Sequence, residues 1–276
     1  MVEIGQYNKL KVVKSVDFGL YLDGGDEGEI LLPKRYVPAD WKVGEEIEVF
    51  LYTDSEDRLI ATTEKPKAVV GEFACLEVVA TSGYGAFLDW GLSKDLLVPF
   101  SEQKRKMRVG DRPVVAVYLD EVTDRVVASS KIKDFLSDEP PTYKEGDEVE
   151  LMVYQQTPIG MKAIINDDHS GVIYRNEVFH PLKTGDKIKG YIKKMRPDGK
   201  IDLILQRPGM GKIDAVEEKI LNMIKKNGGA IPTTDKSPAE EIYERFGVSK
   251  KTYKKAIGAL YKKRLIILEK DKTRLA

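Results

Sequence analysis

The sequence predicts a mainly β protein of three tandem five-stranded barrels, followed by a C-terminal α+β domain. A glycine-and-aromatic segment occurs three times, and its glycines are 66 and 75 residues apart. A Gly-acidic turn also occurs three times, and its glycines have the same two spacings. They are Gly19, Gly85 and Gly160 for the first landmark, and Gly44, Gly110 and Gly185 for the second. Two landmarks that move together indicate three copies of one module of about 70 residues. After residue 211 the apolar residues recur about every 3.6 positions instead of every second one, which is typical of helices.

The landmarks divide the chain into four predicted domains. These are module one (residues 1–66), module two (67–141), module three (142–211) and a C-terminal domain (212–276). Each module opens with a strand that leads into the glycine segment and continues with a short third strand. A polar turn follows, and the Gly-acidic turn then begins a fourth strand. Five short strands with a helical turn between the third and the fourth are typical of an OB-type barrel.

The composition narrows the class of protein. The chain has 276 residues, of which 42% are hydrophobic and 8% aromatic. No stretch approaches the roughly 18–20 apolar residues of a membrane span, and the N-terminal segment lacks the apolar core of a signal peptide. A single cysteine, Cys75, excludes an intrachain disulfide framework and a cysteine-rich zinc site. From these features we expect a cytoplasmic protein with no membrane contact. We also expect a monomer.

The net charge of zero conceals a gradient along the chain. Module one carries 8 Lys and Arg against 14 Asp and Glu, whereas the C-terminal domain carries 16 against 9. This asymmetry indicates that an acidic partner, such as RNA or DNA, is met mainly on the C-terminal side. The alternative is that the lysine-rich helices are simply well solvated. The acidic first module, in turn, suits a basic protein partner.

The glycine-and-aromatic segments resemble the RNA-binding modules of the ribosomal S1 type. Module one reads Phe-Gly-Leu-Tyr from residue 18, and module two reads Tyr-Gly-Ala-Phe from residue 84. In that family two aromatics on the second strand and a histidine on the third lie on the outer face and stack on single-stranded bases. The resemblance assigns the stacking role to Phe18, Tyr21, Tyr84 and Phe87. It places Ile159 and Lys162 at these positions in module three, and Leu31, Leu97 and Tyr174 at the histidine position.

Stacking on bases also needs a basic groove that holds the phosphates. Because module one is acidic, its aromatics either stack on bases or pack against a neighbouring module, and the sequence leaves both open. Module two has a basic run at residues 104–108. Module three offers the strongest combination for binding RNA, which consists of Tyr174, Lys162, Lys193, Lys194 and Arg196.

The C-terminal domain is predicted to hold three helices and a β-wing. The first helix ends at Gly228, and a capping box at residues 237–240 begins a second helix that ends at Gly247. Ser249 caps the third helix. Its predicted inner face consists of Tyr253, Ala256, Ile257, Leu260 and Tyr261. A short apolar strand and a polar turn at residues 265–272 indicate the wing.

This order of elements resembles a winged helix-turn-helix domain, in which the third helix contacts nucleic acid and the wing touches the backbone. The outer face of that helix carries Lys250, Lys251, Lys254 and Lys255. Lysines bind phosphate as point charges, so the cluster predicts affinity rather than base specificity. The alternative is a protein-docking winged helix with a solvated lysine face. We expect module three and this helix to form one continuous basic surface for single-stranded RNA.

Three S1-type barrels followed by a winged helix resemble the bacterial conserved virulence factor B family along essentially the whole chain. The resemblance implies an RNA-binding protein that regulates gene expression after transcription and is not an enzyme. The sequence has no Walker-type phosphate loop and no HExxH motif, and neither His169 nor His180 lies in a metal-ligand cluster. We therefore expect no cofactor and no metal. Two alternatives stay open, a DNA-binding transcriptional regulator that uses the winged helix, and a ribosome- or nuclease-associated protein adaptor.

Overall fold

The computed structural model describes residues 2–178, 181–206 and 212–276, the last range without the side chains of its first four residues. The chain groups into two compact units. The first comprises residues 1–138 and 167–169, and the second comprises the remainder. Module one and residues 67–138 of module two belong to the first unit. The four predicted domain boundaries stay predictions.

Module one folds as a closed barrel. Its strands are β1 (Tyr7–Val16), β2 (Gly19–Asp23), β3 (Glu29–Pro33), β4 (Glu46–Thr53) and β5 (Leu59–Thr62). They close in the order β1-β2-β3-β5-β4, with β3 and β5 parallel. Side chains point alternately to the two faces of a strand, and the inward ones, such as Leu20, Leu22 and Leu32, fill the barrel. The predicted five-stranded module is confirmed here.

Module two forms two three-stranded sheets instead of the predicted closed barrel. Its strands are β6 (Phe73–Cys75), β7 (Glu77–Thr81), β8 (Gly85–Asp89), β9 (Leu96–Pro99), β10 (Val114–Asp120) and β11 (Arg125–Ser129). The predicted first strand is divided at Leu76, whose N–H donates to the carbonyl of Pro113 at 3.1 Å. Proline has no N–H to return the bond, so the ladder is interrupted there. In module one the corresponding pair is Leu10 and Ile47, and the ladder continues.

Module three closes in the same strand order as module one. Its strands are β12 (Glu148–Thr157), β13 (Gly160–Ile165), β14 (His169–Tyr174), β15 (Lys187–Met195) and β16 (Ile201–Ile204). Leu151, Val153 and Ile173 lie in its core. Two of the three predicted barrels are therefore confirmed as closed.

The first repeated glycine lets two strands approach closely. A Cβ on Gly19 would lie 2.2 Å from the carbonyl oxygen of Leu32 on β3. The equivalent distances are 2.2 Å from Gly85 to the carbonyl of Val98 and 2.1 Å from Gly160 to the carbonyl of Ile173. A backbone oxygen within a strand cannot swing aside as a flexible side chain can. The repeated glycine therefore meets the same steric requirement in each of the three modules.

The second repeated glycine lies against a β-bulge in the first strand of each module. The N–H of Gly44 donates to the carbonyl of Val12 at 2.9 Å, and the register of β1 against β2 shifts between Val12 and Lys14. The equivalent bonds run from Gly110 to Val78 at 2.9 Å and from Gly185 to Val153 at 2.7 Å, each beside an equivalent shift. A bulge bends its strand and increases its twist. This landmark therefore marks the place where each first strand curves.

Modules one and two share a hydrophobic core. The rings of Phe50 and Trp90 meet edge to face with centroids 5.7 Å apart. Lys94 of module two reaches into module one and donates to the carbonyls of Thr53 and Asp54 at 2.6 and 2.8 Å. Burial lowers the pKa of the Lys94 ammonium. Apolar packing and hydrogen bonds thus join these two modules.

The C-terminal domain has the elements of a winged helix. They are α1 (Lys212–Lys226), β17 (Ala230–Ile231), α2 (Ala239–Phe246), α3 (Lys250–Lys262), β18 (Ile266–Leu268) and β19 (Thr273–Leu275). The three strands form one small sheet, and the helices bury a common apolar face. As predicted, the Ser249 side chain caps α3 and accepts the N–H of Thr252 at 3.3 Å. Within the described residues no helix is both long and apolar enough to cross a membrane.

Two local predictions for this domain are wrong. Ser237 does not cap α2, because the helix begins behind Pro238 and the Ser237 hydroxyl accepts the N–H of Thr234 at 3.0 Å instead. Tyr261 does not belong to the inner face of α3, since it is 56% exposed whereas Leu260 is buried. The buried stripe of α3 ends at Leu260, only two residues before the helix itself ends, so Tyr261 projects from its edge.

Candidate nucleic-acid interface

The aromatics of module one lie on its surface, beside a lysine. Phe18 is 57% exposed, and its ring meets that of Tyr21 edge to face with centroids 6.3 Å apart. The Lys14 ammonium lies 4.7 Å from the centroid of the Tyr21 ring and also pairs with Glu29. The contact with module two is made by other residues, such as Phe50. Of the two readings that the sequence leaves open, the structure thus favours an outward-facing aromatic pair.

Module two carries the most exposed predicted stacking residue. Tyr84 is 79% exposed, and Phe87 on β8 is half-buried. Phe100, which the sequence analysis did not select, is 46% exposed, and its N–H donates to the carbonyl of Tyr84 at 3.3 Å. An apolar ring in an otherwise polar turn was the signal that could have identified it. Lys106 and Arg108 of the following basic run are exposed as well.

The register of module three corrects one residue assignment. In the three modules the N–H that follows β3, β9 or β14 donates to the residue before the repeated glycine; the pairs are Lys34 to Phe18, Phe100 to Tyr84, and Arg175 to Ile159. Tyr174 therefore takes the place of Pro33 and Pro99. The position equivalent to Leu31 and Leu97, where the family has its histidine, is Val172. The predicted equivalence of Tyr174 is wrong by two residues.

Tyr174 belongs instead to a small polar cluster. The guanidinium of Arg196 donates to both carboxylate oxygens of Asp202, at 2.9 and 3.0 Å, and to the Tyr174 hydroxyl at 2.6 Å. The Asp202 carboxylate holds the pKa of the Arg196 guanidinium above its usual value. Asp202 is almost buried between β14 and β15, so it anchors an arginine that remains partly exposed. No sequence pattern marks this anchor, because Tyr174 ends β14, Arg196 follows β15 and Asp202 lies on β16.

The other predicted cations of module three differ in their surroundings. Lys193 pairs with Glu177 at 2.7 Å, which offsets its charge locally. Lys194 is exposed and has no ion pair within the described residues. Lys162 lies half-buried on β13, at the position that Tyr21 holds in module one. At the two aromatic positions of module one, module three therefore has one lysine, Lys162, and one aliphatic residue, Ile159.

The outer face of α3 carries the four predicted lysines. Lys250 donates to the carbonyl of Lys236 at 3.2 Å, and Lys254 lies 4.0 Å from Asp235. Lys251 and Lys255 are exposed and form no ion pair with any residue that the structure describes. The opposite face, including Tyr253, is buried against α1 and α2. The packing of α3 thus orients a row of cations toward solvent.

Comparison with known proteins identifies the family. Residues 4–64 match the S1 domain family, and residues 218–275 match the family of CvfB-like winged helix domains. The chain is 30% identical over 265 residues to the uncharacterized protein YitL of Bacillus subtilis, an alignment that covers 94% of this chain and 89% of the relative. The chain belongs to the conserved virulence factor B family. It is also 24% identical to a Staphylococcus epidermidis protein named conserved virulence factor B, over 99% of this chain and 94% of that one.

A solved structure from Streptococcus pneumoniae aligns with 99% of this chain and with 98% of its own length. The two are 22% identical with a TM-score of 0.46, and that structure is described as a multidomain protein with nucleic acid binding domains. S1-type OB barrels and winged helices are nucleic-acid-binding domain types. The relatives above are not named as enzymes. His169 is paired with Asp168 at 2.9 Å, and His180 lies outside the described residues.

Proposed function

We propose that this protein is a non-catalytic RNA-binding regulator of gene expression that acts after transcription. It binds single-stranded RNA through module three and the winged helix. The observation that carries the proposal is the outer face of α3, where Lys251 and Lys255 are exposed without an ion pair among the described residues. Lysines free of acidic neighbours release counterions when they bind phosphates, and this release supplies the affinity.

The preference for single strands rests on the barrels. Bases of a single strand are splayed and offer their faces to exposed rings, and each stacked base contributes about 1–3 kcal/mol. Outward-facing rings are present at Phe18 and Tyr84. In module three, Tyr174 is joined by the cations Lys162, Lys194 and Arg196, which suit the phosphates between the bases. Duplex DNA would leave these barrel faces unused.

The composition of α3 argues against sequence-specific reading of duplex DNA. Base edges in the major groove are read by paired hydrogen bonds, from Arg or Lys to guanine and from Asn or Gln to adenine. Of these four residue types α3 has only lysine between Lys250 and Lys262, and an ammonium lacks the fixed fork geometry of a guanidinium. Its lysines suit phosphates of any sequence, which favours a protein that binds RNA broadly over a transcriptional regulator that selects an operator.

Fluorescence anisotropy of the full chain tests this proposal. Single-stranded RNA, single-stranded DNA and duplex DNA of equal length are titrated at one near-physiological salt concentration. We expect the tightest binding to single-stranded RNA. The double variant Lys251→Glu and Lys255→Glu should weaken it by about tenfold or more, because two phosphate contacts become repulsive.

A matched control carries the same change of charge at the end of α1. Lys225 and Lys226 are exposed too, and their replacement by glutamate should change the affinity less than about threefold. Equal losses in the two double variants would show that net charge alone matters and would refute the α3 site. Preference for duplex DNA would favour the transcriptional regulator, and no binding to any of the three would favour the protein adaptor.

A further inference from the structure

One of the three helices of the winged helix ends with an unusual residue. α1 is followed by Gly228 at φ +71° and α2 by Gly247 at φ +70°, whereas the end of α3 has Arg264 at φ +54°. This left-handed conformation is usually taken by glycine at helix ends, because a side chain brings its Cβ too close to the backbone. Arg264 therefore stands where glycine is the favourable residue.

The hydrogen bonds at the end of α3 hold Arg264 in that conformation. The N–H of Arg264 donates to the carbonyl of Tyr261 at 3.0 Å, and the N–H of Leu265 donates to that of Leu260 at 3.1 Å. This pattern closes a helix with a left-handed residue. α1 closes with the same six-residue bond, from Gly229 to Ile224 at 2.9 Å. Two helix ends thus have one geometry, and only one of them holds an arginine.

No described residue accounts for this cation. Arg264 is exposed and forms no ion pair within the described part of the chain, whereas its neighbour Lys263 pairs with Glu217 at 2.6 Å. A cation at a helix C-terminus does interact favourably with the helix dipole, but Lys262 and Lys263 already supply that charge. Strained backbone conformations cluster at functional sites. Because no contact within the described residues explains this one, we look for its reason in binding.

We propose that Arg264 binds a phosphate group of the nucleic-acid backbone, an inference that rests on the proposed function. The planar guanidinium can donate to two oxygens of one phosphate in a fixed fork geometry that the ammonium of lysine lacks. The exposed ring of Tyr261 and the exposed ammonium of Lys262 lie in the same last turn of α3. This end of the helix therefore offers a ring for a base next to cations for the adjoining phosphates.

The variant Arg264→Gly tests the proposal, because it should change stability and binding in opposite directions. Relief of the left-handed strain should raise the melting temperature of the winged helix domain by about 2–5 °C. The affinity for a single-stranded oligoribonucleotide should fall about three- to tenfold, and the slope of log K against log salt should become shallower by about 0.7. A residue with a structural role alone would not change the salt slope.

Gly228→Arg is the matched control. It places the same side chain in the same geometry at the end of α1, where no atom lies within 4 Å of the added Cβ. We expect a lower melting temperature, because arginine takes on at this position the left-handed strain that glycine avoids.

The outcomes separate the two proposals. If the unchanged chain binds RNA and Arg264→Gly binds equally well, the phosphate contact is overturned and the proposed function stands. If Arg264→Gly melts at a lower temperature, the strain argument is overturned. If the unchanged chain binds no nucleic acid, the proposed function fails and the contact fails with it.

Discussion

Modules one and three have the same backbone and different surfaces. Both close in one strand order, both need a glycine where a Cβ would meet a carbonyl oxygen, and both have a bulge in the first strand. On the outer face, however, module one has Phe18 and Tyr21 where module three has Ile159 and Lys162. The difference teaches that the glycine landmarks specify the barrel, whereas the residues between them specify what the barrel can bind.

The polar neighbours of the two faces differ as well. In module one Lys14 lies over Tyr21 and is neutralised by the exposed Glu29. In module three Arg196 is held by Asp202, which is almost buried. A pair with one buried member is more firmly placed than an exposed pair, because the buried group has few alternative positions.

The largest effect should come from the feature that both modules share. Gly19→Ala and Gly160→Ala should each lower the free energy of unfolding by at least about 2 kcal/mol, because strands must separate to accept the Cβ. Urea denaturation measures this loss. Gly44→Ala and Gly199→Ala are controls with positive φ and no atom within 4 Å of the added Cβ. They should cost only about 1 kcal/mol, and equal losses in both sets would contradict the steric explanation.

Removal of the acidic partner should destabilise module three more than module one. Asp202→Ala leaves Arg196 without its carboxylate partner and should cost about 1–2 kcal/mol in urea denaturation, since hydrogen bonds to charged groups are stronger than neutral ones. Glu29→Ala in module one removes an exposed partner and should cost less than about 0.5 kcal/mol. If Glu29→Ala costs as much as Asp202→Ala, burial of the anchor has no role.

Substitutions on the outer face of module three should weaken RNA binding more than substitutions on the outer face of module one. Lys162→Ala combined with Lys194→Ala should weaken binding of single-stranded RNA by about fivefold or more and reduce its salt dependence. Phe18→Ala combined with Tyr21→Ala should weaken it less than about threefold, because the acidic first module attracts phosphates poorly. Anisotropy titrations give both values. The reverse order would make aromatic stacking in module one the main contribution and refute the argument from the charge gradient.

The smallest effect concerns the ion pair between Asp57 of module one and Arg125 of module two. The hydrogen bond that Arg125 donates to Asp57 holds the pKa of the Asp57 carboxyl below the usual value. A group with a lowered pKa stabilises the fold above its unfolded pKa, and this contribution is lost as the pH falls through the folded value. Asp57→Asn should therefore lower the melting temperature slightly at pH 6 and not at pH 2. A constant difference across this range would exclude the ion pair as its cause.

Much of the fold was predictable from the sequence, because its close strand contacts and its helix ends each require a particular residue type. Glycines mark the close strand contacts, and Gly228 and Ser249 mark the ends of helices. The position of Tyr174 was not predictable in this way. Pro33 and Pro99 mark the end of the third strand in the first two modules. Module three has a tyrosine there, so its residues carry no mark of the register.

The candidate site was predictable in its residue types and not in their partners. The lysines of α3 lie on its exposed face because the apolar positions of the helix set its orientation. The pairing of Arg196 with Asp202 depends on a bulge in β15 between Ile192 and Lys194, which shifts the register by one residue. Such a shift has no signature in a single sequence, because it follows from how the barrel closes.

The shared core of modules one and two has a consequence for the newly synthesised chain. Phe50 is completely buried in a cluster that includes Trp90, which is made 40 residues later. At about 5–20 residues per second, the ribosome delivers that partner a few seconds after module one is complete. During this interval the nascent first barrel displays an apolar patch, and it reaches its final form only when the next one has emerged.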